Sequence, residues 1–388
     1  MNPTRLVMLV FFLQPLAFGS WLPRIPEIQA RLGFGPAELA LALLGLPVGT
    51  LLTLPFAGPF VARIGARQAI RVGFCLFLTA VCLPAFAQNI YWLFGGLLLT
   101  GMTMSVLELG LNVMAAETEA HLRAAIMSTC HGCWSLGMAA GSLVGVGFAA
   151  RGLAPQWSVP VAAIMVAPCA LAVARLLPAW PAEPHPEGEA RPRSGIFVPG
   201  PVLAGICLFA FGGTLVEGAS ADWSAVFLRD AFGADVAAAG IGYSIFAGLL
   251  TVGRLLGDFM KTRWGAVAVA RSCVATALIG VACVVLSPAY PVALLGFGLA
   301  GFGVSVGFPL AVTAVAGLGD RPAAANVAML SLITLASFLL GPPVIGLIAQ
   351  HAGLRAGFGV LLPGLAASVA LAGLLSRGAA MRVAAAAE

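Results

Sequence analysis

The sequence predicts an all-α polytopic membrane protein, with twelve transmembrane helices in two six-helix bundles and both termini cytoplasmic. Three observations predict it. First, 60% of the 388 residues are hydrophobic and only 9% are charged, against about 25% charged in soluble domains, and the mean hydropathy is +1.01. Second, apolar residues run unbroken for about 20 positions, the length a helix needs to cross the hydrocarbon core, instead of alternating as in barrel strands. Third, the same short motifs recur 200 residues apart, on either side of a polar, proline-rich break. This composition excludes a soluble enzyme, a disordered chain and a nucleic-acid binder. The net charge of +5 comes from 20 cations against 15 anions, and these form no basic face able to track phosphates.

The spans follow in order, each placed where an apolar run meets a polar break. Span 1, about 6–24, is closed by Arg24 and Arg31; span 2, about 37–58, by Arg63 and Arg67. Ala17-Phe18-Gly19 resembles a signal-peptide cleavage site, but the run continues past it behind a single Arg5, so it is read as a span. Span 3, about 72–88, and span 4, about 91–116, are separated by an uncharged break; Glu119 and Arg123 follow span 4. Span 5, about 125–150, ends at Arg151, and span 6, about 157–177, at the proline-rich break. Span 7, about 200–226, precedes Arg229, and span 8, about 237–258, precedes Lys261 and Arg263. Spans 9 and 10, about 267–287 and 290–318, are again joined without charge. Arg321 and Arg355 bracket span 11, about 324–349, and span 12, about 356–376, is followed by Arg377 and Arg382.

Cations set the orientation. With the termini inside, Arg5, Arg63, Arg67, Arg71, Arg123, Arg175, Arg191, Arg193, Arg254, Lys261, Arg263, Arg271, Arg321, Arg377 and Arg382 are cytoplasmic, and Arg24, Arg31, Arg151, Arg229 and Arg355 are not. Fifteen against five follows the positive-inside rule, and implies a multi-pass protein of a bacterial-type inner (plasma) membrane. The eight cysteines lie within or beside apolar runs, which is no extracellular disulfide framework. Cys130-His131-Gly132-Cys133 lacks a second ligand pair, so its cysteines are read as small buried groups and no metal site is expected. No phosphate-binding G-x-x-x-x-G-K-[ST] loop and no hydrolase or metalloprotease motif occurs. The expectation is a protein that is not an enzyme and carries no cofactor.

Residues 178–199, with six prolines and the charges Glu183, Glu187, Glu189, Arg191 and Arg193, read as a cytoplasmic linker. The expected domains are therefore a bundle over 1–177, the linker 178–199 and a bundle over 200–388. Arg63-x-Gly65 matches Arg263-x-Gly265, Gly101-x-x-x-Ser105-Val106 matches Gly301-x-x-x-Ser305-Val306, and Gly141 matches Gly341. Two six-helix repeats around a midplane cavity are a transporter plan.

Over its whole length the chain resembles the major facilitator superfamily. The loop after span 2 reads Gly58-Pro59-Phe60-Val61-Ala62-Arg63-Ile64-Gly65-Ala66-Arg67, similar to the family's G-x-x-x-D-R-x-G-R-R/K with Ala62 in the acidic place. Its second-half counterpart, Gly253-Arg254 to Gly257-Asp258 followed by Arg263 and Gly265, keeps an acid. The resemblance implies that Arg63, Arg67, Arg254, Asp258 and Arg263 act as gating latches, by charge-assisted contacts near helix ends. Glu108-x-x-x-Asn112, Glu119, His131-Gly132-x-x-Ser135-Leu136-Gly137 and Glu217-Gly218-Ala219-x-x-Asp222-Trp223-Ser224 resemble the MosC-like branch, grouped with rhizopine transport and related to proton-coupled fucose permeases. That branch usually has Asp where this chain has Glu108.

Charged groups inside a membrane are costly, about 2.5–3.5 kcal/mol each at the bilayer centre, so those present should be functional. Glu108, His131, Glu217 and Asp222 are the proton-coupling candidates. The alternative is a satisfied structural contact, which weighs as much as function for His131 and more than function for Asp222. Glu217 and Asp222 are five residues apart, about 140° around a helix, and are expected to face different ways, with Asp222 and Trp223 near the outer headgroup belt. Gln14, Trp21, Asn112, Trp134, Ser135, Trp223 and Tyr243 are the substrate-binding candidates, since aromatic faces and amides suit a sugar-like solute. The expected function is secondary active transport of a small polar solute (sugar-, polyol- or inositol-like) by proton symport and alternating access, in a monomer whose partners are the solute, protons and lipid. A proton-driven exporter of drugs or metabolites and a non-transporting sensor or scaffold are the alternatives.

Overall fold

The structure is a computed structural model and describes residues 2–122, 126–180, 198–318, 320–321 and 323–376, the side chains of Ala120, Ser128, Asp258, Ala323, Ala324, Ala325 and Ala328 excepted. Most of the 178–199 linker, and Arg123, Arg191, Arg193, Arg377 and Arg382, lie outside the described residues. All the described secondary structure is helical, as a lipid-facing chain requires: a helix satisfies its own backbone donors and acceptors.

Among the described residues, eleven segments are long and apolar enough to span a membrane. Span 1 is Pro3–Leu32, span 2 Pro36–Ile64, span 3 Ala66–Phe86, span 4 Ile90–Leu122, span 5 Met127–Ala150 and span 6 Pro155–Leu176. Span 7 is Pro201–Phe232, span 8 Val236–Trp264, span 9 Ala266–Leu286 and span 10 Tyr290–Ala316. The eleventh segment, Met329–Leu374, is broken at Gly353, whose φ of 79° and ψ of 164° are not helical. It therefore supplies span 11 (323–352) and span 12 (354–374). Spans 1, 2, 3, 4, 7 and 8 are longer than the apolar runs because their polar ends remain helical.

Proline and glycine set the ends. Pro3, Pro36, Pro155 and Pro201 open their helices, where a missing N–H costs nothing. Gly33 and Gly233 close spans 1 and 7 in the same left-handed conformation, φ 69° and 64°. Gly65 and Gly265 close spans 2 and 8 with φ/ψ of 79°/151° and 81°/154°. The 200-residue repeat is thus a repeat of backbone geometry.

Close glycine contacts hold neighbouring helices. A Cβ on Gly101 would lie 2.0 Å from the Leu46 carbonyl oxygen, and one on Gly301 2.2 Å from that of Phe246. Gly137, Gly141 and Gly145 present span 5 to span 1, with Cβ positions 2.1, 2.3 and 2.5 Å from the carbonyls of Phe12, Leu16 and Ser20. This small-residue face joins helices within one bundle.

We call the side where span 1 starts the terminal face and the other the opposite face. At the opposite face the bundles meet closely. A Cβ on Gly346 of span 11 would lie 2.4 Å from Ala40 Cβ of span 2, and one on Gly240 of span 8 would lie 2.5 Å from Pro23 Cβ of span 1. Arg229 Nη1 donates to the Pro26 carbonyl at 2.7 Å, and Nη2 to Gln29 Oε1 at 2.8 Å. Other arginines there tie helix ends within a bundle. Arg31 donates to the carbonyls of Ala85 (2.8 Å) and Ala87 (3.1 Å), and Arg355 to that of Val285 at 2.8 Å. Arg24, fully buried, reaches Leu153 O at 2.5 Å and pairs with Glu27 at 2.7 Å. Four of the five cations expected outside are therefore structural tethers.

Candidate functional site

A cavity of about 280 Å³ lies between the bundles, lined by spans 1, 2, 4 and 5 of the first and spans 7, 8 and 11 of the second. Its wall is mainly apolar and aromatic, including Phe18, Trp21, Trp134, Tyr243 and Phe338, and it holds three carboxylates: Glu108, Glu217 and Asp222. Glu108 sits near the middle of span 4.

Each carboxylate has a different neighbourhood. Arg254 Nη2 donates to both Glu217 oxygens at 3.2 Å, forming an ion pair whose side chains are 20% and 19% exposed. Arg254 Nη1 also donates to Ser135 Oγ. Ser135 belongs to span 5 and its hydroxyl donates to the His131 carbonyl at 3.2 Å, so the guanidinium bridges a cavity acid to the other bundle. Asp222 makes no hydrogen bond or ion pair with a described residue. Tyr243, stacked on Phe246 at 6.1 Å, lies within electrostatic reach of Glu217, Arg254 and Asp222. Beside Glu108 stands Gln14. It is fully buried and its Oε1 accepts from Trp134 Nε1 at 2.8 Å, while its Nε2 has no hydrogen bond of good geometry.

Several expectations need correction. Glu217 and Asp222 both line the cavity, because a wide cavity collects side chains over much more of a helix face than the angle between two Cα positions suggests. Trp223 is not at a headgroup belt: it is fully buried against span 11, its Nε1 unpartnered. Gln14, Asn112, Ser135 and Trp223 do not line the cavity; Gln14 and Ser135 stand one layer behind it. Arg254 lies within span 8 and not at a helix end. A guanidinium that far into the membrane pairs with the nearest buried acid, here Glu217. The Asp258 side chain lies outside the described residues. Arg67 Nη2 donates to the Arg175 carbonyl, and Arg71 donates to the carbonyls of Ala174 (3.3 Å) and Arg175 (3.2 Å), so both cap span 6 within their own bundle. Arg63 and Arg263 are exposed. His131 is exposed, its ring 5.5 Å edge-on to Phe11. Glu119 accepts from the Ile126 and Met127 amides at 2.5 and 2.8 Å, a cap for span 5. The eight cysteines are free thiols.

Sequence reasoning missed the lining residues Phe18, Leu43, Pro47, Thr50 and Phe338. Nothing in an apolar helix marks which apolar residues face a cavity.

Two helical bundles closing on an acidic, aromatic-walled chamber within the membrane define a multi-pass transporter of small solutes. Residues 7–316 match the Major Facilitator Superfamily, and the chain belongs to that family. It is 30% identical over 365 residues to the uncharacterized transporter y4wD of Sinorhizobium fredii, covering 92% of this chain and 93% of the relative. It is 31% identical to an uncharacterized MFS-type transporter of Yersinia pestis, over 90% of each chain. Membrane protein MosC of Rhizobium meliloti is 27% identical, over 89% of this chain and 83% of MosC. Among solved structures the fold is shared with the nucleoside transporter NupG (TM-score 0.69, 16% identity, 97% and 99% covered). It is also shared with a bacterial homolog of the lysosomal transporter Spinster in an inward-facing and occupied conformation (TM-score 0.67, 18% identity, 99% and 96% covered). The chain is accordingly a transporter and not an enzyme, and the sensor or scaffold alternative finds no support in these relatives.

Proposed function

We propose that the protein imports a small polar solute together with protons across a bacterial-type inner membrane, acting as a monomer with both termini in the cytoplasm. The observation that carries this reading is the set of three carboxylates in a chamber bounded by both bundles. Acids placed in an apolar chamber bind and release protons as the chamber changes access. The bundles over 1–177 and 200–388 rock about that chamber, and Gly346, Gly240 and Arg229 close it at the opposite face. With Arg254 set aside as a chamber residue, the fourteen-to-five cation bias supports the terminal face as cytoplasmic, which makes the present state one that faces inward. Glu108, Glu217 and Asp222 are the proton sites, with Trp21, Trp134 and Tyr243 against the solute; His131 lies on the path to the terminal face.

In proteoliposomes with an imposed pH gradient, solute uptake should collapse on adding an uncoupler. Glu108→Gln should abolish gradient-driven accumulation and retain exchange of solute across the membrane. Unchanged accumulation would remove Glu108 from the coupling path, and uptake indifferent to the gradient would remove proton coupling altogether. Export of an apolar compound is the second reading, favoured by the largely apolar wall; deletion would then raise toxin sensitivity in cells.

A further inference from the structure

The second bundle shows how little is needed to cap an outer helix at the terminal face. There the end of span 12 meets the start of span 9, and one arginine serves the joint: a Cβ on Gly373 would lie 3.6 Å from Arg271 Nη2. A cation at that place offsets the negative end of the helix dipole, about half a charge. The matching joint in the first bundle, between spans 3 and 6, carries three cations. Arg71 matches Arg271 at the 200-residue offset, while Arg67 and Arg175 stand where the second bundle has Val267 and Leu375.

The three are drawn together. Arg67 Nη2 and Arg71 Nη2 both donate to one oxygen, the Arg175 carbonyl, and Arg71 Nε reaches the Ala174 carbonyl at 3.3 Å. The charged groups within electrostatic reach of Arg71 are Arg67 and Arg175, all of one sign. None of the three forms an ion pair with a described residue, and the exposed Arg175 guanidinium makes no hydrogen bond with one. The acids at the same end of span 4 are engaged elsewhere: Glu117 lies beside His121, and Glu119 accepts from the Ile126 and Met127 amides. Three positive charges on one helix end are more than its dipole offsets, and they repel one another until an anion sits among them.

The place of the cluster says which anion. Its residues occupy the first turns of span 3 and the last turn of span 6, at the depth of lipid headgroups. Further into the membrane the outward sides of both helices are exposed and carry no charge: Cys75, Leu76 and Thr79 on span 3, and Met165, Cys169 and Ala172 on span 6. A free anion would use the cations alone. A phospholipid uses both features, its phosphate on the cations and its acyl chains along the faces below.

From this we infer that Arg67, Arg71 and Arg175 form a binding site for the phosphate of an anionic phospholipid, at the joint of spans 3 and 6 in the leaflet of the terminal face. Guanidinium forks pair with phosphate oxygens two at a time, and basic pockets between spans receive anionic headgroups. The site lies in the first bundle, away from the central chamber, so it is independent of the solute and of how transport is driven. A lipid held there braces span 3 against span 6 and raises the stability of the folded state.

Purified full-length protein in detergent is titrated with short-chain phosphatidylglycerol, phosphatidylcholine, glycerol 3-phosphate and inorganic phosphate, and Tm and lipid retention in native mass spectra are read. The expected result is a rise in Tm and retained lipid with phosphatidylglycerol, and little with the other three. Arg175→Gln is the decisive variant, because that side chain makes no internal bond and its loss leaves the carbonyl that Arg67 and Arg71 cap. It should weaken phosphatidylglycerol about five-fold, the share of one interfacial cation, and Arg175→Lys should keep most of the affinity. Arg271→Gln, at the single-cation joint, should leave it nearly unchanged. Equal weakening by Arg175→Gln and Arg271→Gln would show attraction to a basic surface at large and overturn the site. Phosphatidylcholine that stabilises as well as phosphatidylglycerol would overturn it too. Inorganic phosphate or glycerol 3-phosphate acting as strongly as the lipid would make the ligand a free anion and overturn the lipid assignment. The joint replacement Glu183→Gln, Glu187→Gln and Glu189→Gln, in the linker that follows Arg175, should leave the lipid-free Tm unchanged. A fall would show that the chain's own acids already complete the cluster, and the inference would fail.

Discussion

Arg254 shows how a single side chain changes meaning between sequence and structure. In the chain it sits in a motif of helix-end latches; in space it carries Glu217 on one side and Ser135 of the other bundle on the other. Removing one partner of such a pair leaves an uncompensated charge in a low-dielectric setting, which costs on the order of 3 kcal/mol. Glu217→Gln and Arg254→Gln should each lower the unfolding temperature in detergent, and the double variant should lose less than the sum of the two. Strict additivity would mean the pair contributes no coupling. Ser135→Ala is a gentler change, since it keeps the ion pair and breaks only the link between bundles. The acids themselves were legible in the sequence because charge is rare there; their partners were not, because 37 residues separate Glu217 from Arg254 and 119 separate Arg254 from Ser135.

Helices 1 and 5 illustrate what glycine spacing does. Gly137, Gly141 and Gly145 let the backbone of span 5 lie on successive carbonyls of span 1. Any side chain at Gly141 must push the two helices apart, and Gly141→Val should destabilise the first bundle by about 1–3 kcal/mol, the usual penalty for overpacking. Thermal unfolding should show the loss, and a wild-type melting temperature would mean the helices are not held at this spacing. The repeat spacing was plain in the sequence. The helix that receives it was not, because a small-residue face fits any neighbour that offers a smooth backbone. The terminal capping elements were more readable: a glycine after a run of apolar residues with a basic last turn marks the ends of spans 2 and 8.

Across the whole molecule, the opposite face is held by few groups, and each can be unsettled. Arg229→Ala removes the two bonds from span 7 to span 1. Spin labels placed on spans 1 and 7 at that face should then report longer distances and a larger open population. Gly346→Leu is stronger, since even a Cβ there would lie 2.4 Å from Ala40 Cβ and 2.7 Å from the Pro36 carbonyl oxygen. It should prevent closure and stop transport while leaving each bundle folded. Undiminished transport by Gly346→Leu would show that this seam does not close during the cycle.

The sequence by itself determined the membrane class, the number of spans, the repeat and the identity of the rare buried acids. Those features follow from local composition and helix length, which the bilayer enforces without reference to the rest of the chain. Only the tertiary structure decided that Glu108, Glu217 and Asp222 share one chamber, that Arg254 faces Glu217, and that Trp223 is buried away from the membrane surface. Helix rotation and the choice of neighbours depend on how apolar faces pack against each other, and in helices apolar on nearly every side that information is absent from any one segment.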